Sequence, residues 1–415
     1  MRMRGAYSVY VLLTGVSSLS YPMVWIVSTV YLVKVVGLDP LQIVLYSTVQ
    51  QLVNFLFQAP TGALADMYGR RRVIVPGFLL VGIGFLLQGA IPVFVAVLGS
   101  QALTGLGASL VGGADAAWIA DELGAERVGQ VYLRASQIGS LAGLLGIAAS
   151  AGLAGLRLNL PILVSGGLFA GLGLILAVVM PEHHFTPTPR EQRTSWQHMG
   201  HTLRAGVGMV QVRPLLRTML GIGVFYGVFS AGFDQLWQYH LLRSIHFPAL
   251  AGVTPVVWFG IIEVGITLTN LIGSEIARRR VDVSSHQAVA WALFIVDGLT
   301  CVSAIGFALS GQLALALAAF FVLTTARGPR MSLEQIWMNQ HLDASVRATV
   351  FSLRGGIGAL AQIVAGPLLG ALATSFATRP ALLVASVMLV PALLLYSRIL
   401  RLGSLAVAPI APPSP

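Results

Sequence analysis

Apolar stretches of bilayer length, each ended by a short polar or Gly/Pro segment, occupy nearly the whole chain. A hydrocarbon core takes roughly 20 apolar residues per helix, so this length gives about twelve spans joined by short loops. The pattern predicts helices over 7–33, 40–65, 73–90, 93–120, 128–153, 158–179, 214–242, 253–277, 287–309, 312–339, 344–374 and 380–400. Polar residues inside these stretches are ordered. Ser47, Gln51, Asn54, Gln58 and Thr61 recur at spacings of three and four, which is one face of a helix. Glu263, Thr267, Asn270 and Ser274 do the same in the eighth span. A polar stripe at membrane depth faces protein or water, not lipid. Gly105, Ser109 and Gly112, and again Gly139, Gly143 and Gly146, form small-residue ridges suited to close helix contact.

Composition agrees with a polytopic membrane protein. Hydrophobic residues make up 56% and charged residues 10%, whereas a soluble domain carries about 25% charged residues. The net charge is +10, and Lys34 is the only lysine. The arginines are not spread evenly. The odd-numbered loops hold Lys34, Arg157, Arg243 and Arg379, one each. The even-numbered loops and the two tails hold Arg2, Arg4, Arg70–Arg72, Arg190, Arg193, Arg204, Arg213, Arg278–Arg280, Arg347, Arg398 and Arg401. Cytoplasmic loops are the ones enriched in Lys/Arg, so both termini are expected in the cytoplasm of a cell-membrane protein. With no basic soluble domain, the charge reads as topology and attraction to anionic lipid, not nucleic-acid binding.

Further classes drop out residue by residue. Cys301 is the single cysteine, so neither a disulfide nor a cysteine-based metal site forms within one chain. The opening Met1-Arg2-Met3-Arg4 precedes an apolar stretch too long for a signal peptide and without a cleavage-like end. No Walker-type phosphate loop and no zinc or Ser-His-Asp pattern is present, so no enzyme and no cofactor is expected. One long linker, 181–213, rich in Pro, His and Arg, separates halves at 1–180 and 214–402; a Pro/Ala-rich tail, 403–415, reads as disordered. Within the linker, Trp196–Val212 could lie on the membrane surface as a helix. His183, His184, His198 and His201 read as solvated linker residues.

Between the second and third spans stands Thr61-Gly62-Ala63-Leu64-Ala65-Asp66-Met67-Tyr68-Gly69-Arg70-Arg71-Arg72. It resembles the loop signature of the major facilitator superfamily, G-x-x-x-D-x-x-G-R-R. Gly62, Asp66, Gly69, Arg70 and Arg71 fall on the fixed positions, and Met67 replaces the usual basic residue after the acid. The resemblance implies a cytoplasmic gate. In it Asp66 would accept hydrogen bonds at the start of the eleventh helix, and Arg70 would pair with Asp121 or Glu122. Two features common among proton-driven exporters of that family are absent. Gln101 stands where they carry an arginine, and Leu144, not proline, follows Gly143.

An internal repeat points the same way. Trp118 and Trp337 are separated by the same number of residues as Asp115 and Glu334, and Arg134 and Arg354 by one more. Gly62 has a weaker counterpart in Gly273, followed by Glu275 and Arg278–Arg280. Duplicated halves with a site near the midplane are the architecture of alternating-access transporters. The expectation is therefore an all-α membrane protein, with twelve transmembrane helices in two pseudo-symmetric six-helix bundles.

Acids at membrane depth carry the candidate chemistry, since each needs a partner or water. Asp234, on one face with Tyr226, Ser230 and Trp237, and Glu263, heading its polar stripe, are the better candidates for protons or a cation. Asp115 lies within reach of Arg134, and Glu334 is four residues from Arg330, an ion-pair spacing. Asp297 falls on the ninth helix, which in the family faces the periphery. Asp115, Tyr226, Asp234, Trp237, Glu263, Arg330 and Glu334 thus form the expected substrate and proton cavity. The expected activity is proton-coupled efflux of amphipathic small molecules by a monomer in the bilayer. The alternatives are uptake of a nutrient or metabolite and, more remotely, a non-transporting sensor.

Overall fold

The computed structural model describes residues 2–185, 214–248, 253–341 and 344–402, and among these there is no β-strand. The first half contains α1 (Arg2–Tyr31), a π-helical turn (Leu32–Val36), α2 (Pro40–Tyr68), α3 (Arg71–Ala90), α4 (Phe94–Val111), α5 (Ala114–Leu123), α6 (Ala125–Leu156) and α7 (Leu160–Val179). The second half contains α8 (Pro214–Ser244), α9 (Pro255–Arg280), α10 (His286–Leu309), α11 (Leu313–Arg327), α12 (Arg330–His341), α13 (Ala344–Ser375), α14 (Thr378–Val387) and α15 (Leu389–Leu402). The surface helix expected at Trp196–Val212, His198, His201 and the tail lie outside the described residues.

Eleven spans among the described residues are long and apolar enough to cross a bilayer. The remaining helix, α2, is 29 residues long. Its four glutamines, Asn54 and Asp66 lower its hydropathy below that of the others. Burial is inverted relative to a water-soluble protein. Gln88, Asp297 and Thr300 are fully buried, whereas Val95, Leu156 and Val178 are about three-quarters or more exposed. That is the distribution expected when hydrocarbon is the solvent and polar groups must be satisfied internally.

Three spans expected to run unbroken are interrupted, the twelfth at Met388 between α14 and α15. The fourth breaks at Gly112-Gly113, where Gly113 adopts φ 81°, and restarts as α5. The tenth breaks at Gly328-Pro329 between α11 and α12. Proline lacks the N–H that would continue the ladder, and glycine permits the turn. The Gly112-Gly113 and Gly328-Pro329 breaks each lie just before an acid that the repeat aligns, Asp115 on α5 and Glu334 on α12.

Contacts divide the chain into two compact units. One comprises Met1–His198, Gln238–Val264 and Gly366–Thr374; the other comprises Met199–Trp237, Gly265–Ala365 and Ser375–Pro415. In the first unit the predicted glycine ridges serve close approach. A Cβ on Gly105 would meet the Gln50 carbonyl oxygen at 2.6 Å, and one on Gly139 the Ser18 hydroxyl at 2.8 Å. Within this unit, second-half segments bond to the end of α1 and the start of α2. The Thr29 hydroxyl donates to the Gln238 amide oxygen. Leu41 N donates to Thr374 Oγ1 at 3.0 Å, beside the Asp39 carboxylate that caps α2. In the second unit a core of Leu216, Ile222, Leu293, Trp337, Ala392 and Tyr396 surrounds the charged residues described below.

Candidate functional site

In the first unit the arginine-rich loop is built by a helix end. α2 stops at Gly69, whose φ of 108° is hostile to a side chain. A Cβ there would also lie 2.8 Å from the Glu182 carboxylate. That carboxylate accepts Arg71 N at 3.0 Å, so it occupies one of the unsatisfied donors at the start of α3. The Arg71 guanidinium reaches the Ala177 carbonyl on α7 at 2.5 Å. Arg70 pairs with Asp66 at 2.7 Å, and its Nε stands 3.6 Å from Asp121. Glu122, the other partner expected for the arginines, instead accepts His183 N at 2.6 Å and His184 N at 3.1 Å. Trp118 Nε1 donates to the Pro181 carbonyl at 2.7 Å. The start of the linker is therefore strapped to the loop and to α5, and Glu182 and Glu122 hold it there. Neither role was foreseen, because the partners are over 60 residues apart in the chain.

Asp115 sits in the first turn of α5, where its carboxylate accepts Ala116 N at 2.7 Å. Tyr132 donates to the Ala116 carbonyl at 3.0 Å, and its ring lies 5.8 Å from that of Tyr10. Arg134 bonds Gln137, not Asp115, which corrects the expected pair. Both side chains of that pair are partly or fully exposed, and the helix N-terminus already favours the carboxylate. Gln101 is buried and donates to Gln88 Oε1 at 3.3 Å; Tyr46 approaches the same oxygen at 3.3 Å. The position that lacks an arginine is thus filled by a neutral amide cluster. Glu263 is half-buried on α9.

In the second unit the charges form two linked groups. Arg327, at the end of α11, makes a two-pronged pair with Asp234 of α8 at 2.6 and 3.0 Å. Arg327 Nε also donates to the Tyr226 hydroxyl at 2.8 Å. Tyr226, Ser230 and Asp234, predicted to share a face, therefore converge on one guanidinium. Trp237 is buried and stacks on Phe320 with ring centroids 4.5 Å apart. Beyond the Gly328-Pro329 break, Arg330 pairs with Asp297 at 2.7 Å and with Glu334 at 2.8 Å. Arg354 of α13 bonds the same Glu334 carboxylate. The Arg330 guanidinium lies 3.4 Å from the centre of the Tyr226 ring, so this tyrosine touches both arginines.

Asp297 was expected at the periphery and is instead fully buried. A lone carboxylate on an apolar helix could not stay there without a partner, and Arg330, from a different helix, supplies it. Arg327 was missed altogether. Its signal was a cation ending the apolar run of α11, followed directly by Gly-Pro. On α9, Glu275 pairs with Arg278 at 2.7 Å and Arg279 at 2.5 Å. Its pair four residues on mirrors Asp66 and Arg70. Among the described residues no group of three His, Cys, Asp or Glu could hold a metal ion.

Residues 10–353 match the family model of the Major Facilitator Superfamily. The uncharacterized MFS-type transporter YxaM of Bacillus subtilis (strain 168) is 22% identical over 377 residues, covering 86% of this chain and 87% of that protein. Among solved structures, the nucleoside transporter NupG superposes with a TM-score of 0.76 at 11% identity, over 95% of this chain and 99% of that one. A bacterial homolog of the human lysosomal transporter Spinster, inward-facing and occupied, gives 0.70 at 13% identity over 96% of each chain. At these identities the structural likeness speaks for the fold.

Proposed function

The chain belongs to the Major Facilitator Superfamily, and from that premise we propose that it is a proton-coupled secondary transporter exporting amphipathic small molecules by alternating access. That it is a membrane transporter of this superfamily follows from the family and the fold. The observation carrying the finer reading is the Arg327–Asp234 pair, which remains about a quarter to a third exposed in a membrane-spanning segment. In the proposed cycle a proton taken up by Asp234 replaces the two-pronged bond to Arg327, so uptake and release of the arginine form one event. Tyr226 would then remain as the partner of the freed arginine. Asp115 and Glu263 of the first unit, and Arg330 and Glu334 of the second, complete the proposed set of polar groups at membrane depth.

The arginine distribution orients both termini and the Gly62–Arg72 loop toward the cytoplasm. In that orientation Asp66, Arg70 and Asp121 form the cytoplasmic latch, and Thr29–Gln238 and Leu41–Thr374 close the outer end. A second reading is favoured by Arg327 itself. Its guanidinium lies 5.5 Å from the Tyr226 ring centre and 5.4 Å from that of Phe229. A planar cation between aromatic rings suits a substrate with a carboxylate, taken up with protons as a metabolite.

Purified protein in liposomes with an imposed pH gradient separates these readings. Movement of an amphipathic dye opposite to protons supports export. Carboxylate-dependent uptake along the proton gradient, with no dye flux, supports the second reading. Flux of either kind that ignores the pH gradient sinks proton coupling.

A further inference from the structure

Within the second unit lies a cavity of about 660 Å³ whose walls are almost wholly apolar. It opens through side chains that are about half exposed, among them Trp291, Ile295, Leu299 and Val322. These residues lie on helices of membrane-spanning length, so the opening faces hydrocarbon, not water. Along α10 the lining runs from Ala288 to Leu299. At 1.5 Å per residue that is about 16 Å. One leaflet of a roughly 30 Å hydrocarbon core has nearly that depth.

One end of this groove is charged. Arg280, the last residue of α9, belongs to the lining. Its two neighbours are otherwise engaged, since Arg278 and Arg279 both bond Glu275. The next carboxylate, Asp282, accepts Ser284 N at 3.0 Å and the Ser284 hydroxyl at 2.6 Å. Among the described residues no carboxylate pairs with Arg280. A guanidinium with no carboxylate partner among the described residues, where a span ends and the headgroups begin, complements a phosphate.

We propose that this groove is a site for an anionic phospholipid of the surrounding bilayer, with one acyl chain along α10 and the phosphate on Arg280. The location gives the site a consequence. Ala326 and Pro329, at the α11–α12 break, line the groove, and the residues between and beside them, Arg327 and Arg330, carry the ion pairs described above. A bound chain therefore packs against the same break that positions both arginines.

The full chain is reconstituted in phosphatidylcholine vesicles containing either brominated phosphatidylglycerol or brominated phosphatidylcholine. Quenching of Trp291 is taken as the difference between the native protein and Trp291→Phe. Phosphatidylglycerol is expected to half-quench at a mole fraction about fivefold lower than phosphatidylcholine, which is the ~1 kcal/mol one arginine supplies near a membrane surface. Arg280→Gln should remove that preference, Arg278→Gln should keep it, and Ala292→Leu, which fills the groove, should weaken quenching by both lipids. Equal half-points in the native protein mean ordinary solvating lipid and overturn the proposal. So does a preference that survives Arg280→Gln, or displacement of both lipids alike by a neutral apolar solute. The measurement involves no flux, so it stands or falls separately from the transport reading.

Discussion

Removing one charge from the Asp297–Arg330–Glu334–Arg354 group should cost far more than removing a matched pair. Asp297 and Glu334 are the acids and Arg330 and Arg354 the bases, so the group is neutral as it stands. Asp297, Arg330 and Glu334 are each at most 5% exposed, which leaves no water to solvate a charge set free. Asp297→Asn leaves Arg330 leaning on Glu334, which Arg354 already holds. Arg330→Gln takes the guanidinium from Asp297 and leaves Glu334 to Arg354 alone. Breaking a buried pair on one side costs about 3–5 kcal/mol, because the remaining charge stays buried. The double variant Asp297→Asn/Arg330→Gln removes both charges and leaves Glu334–Arg354 intact. Its cost should fall well below the sum of the singles, with a coupling of at least about 2 kcal/mol, within the range for contacting residues. Reversible unfolding in mixed dodecyl sulfate micelles, read by tryptophan fluorescence, measures all three variants on one scale. Additivity within about 0.5 kcal/mol, or an Asp297→Asn cost below about 1 kcal/mol, would refute a buried, mutually compensating group.

The other predictions concern the cycle and the loop. Asp234→Asn and Glu263→Gln should each abolish flux driven by a pH gradient in liposomes; coupling at the native level in both would strip them of a proton role. Asp66→Asn should lower turnover while the protein still inserts, since it loosens Arg70; unchanged turnover would leave Asp66 a scaffold residue. Gly69→Ala should lower the thermal midpoint, with about 1–3 kcal/mol from a positive-φ, extended backbone that is essentially restricted to glycine. Gly62→Ala, where a Cβ meets nothing within 4 Å, should leave the midpoint unchanged; equal effects of the two substitutions would contradict the loop geometry.

What could be read from the chain divides by the distance over which the chemistry acts. Span positions were legible because apolarity is a property of consecutive residues. Arg330–Glu334 was legible because spacing four places two side chains on one helical face. Asp66–Arg70 was not, because Arg70 lies past the end of α2, and Asp121 or Glu122 was expected as its partner instead. Asp297 was misplaced because its partner lies on another helix, and a single acid on an apolar helix does not show which way it faces. Glu182 looked like an ordinary linker residue, although it holds Arg71 N and forces glycine at position 69. Two of the helix breaks were within reach: Gly112-Gly113 and Gly328-Pro329 are punctuation that the apolar pattern around them overrode.

The repeat supplies the last step. Duplication placed an acid and an arginine at matching positions in each half, yet only the second half joins them. Glu334 and Arg354 are bonded, whereas Asp115 accepts a backbone N–H and Arg134 turns to Gln137. The position lacking an arginine on α4 is likewise neutral, a glutamine among amides and tyrosines. The described ion pairs of the first unit gather at the Gly62–Arg72 loop and α5, whereas those of the second include the interior of its spans. On the proposed reading, a proton reaching Asp234 competes with Arg327, so its uptake is tied to side-chain rearrangement at the α11–α12 break. In the first unit Asp115 has no arginine among its described partners. Exchanging Arg327 for glutamine should uncouple flux from the pH gradient, whereas Arg134→Gln should not; equal coupling in both variants would remove the distinction drawn between the halves.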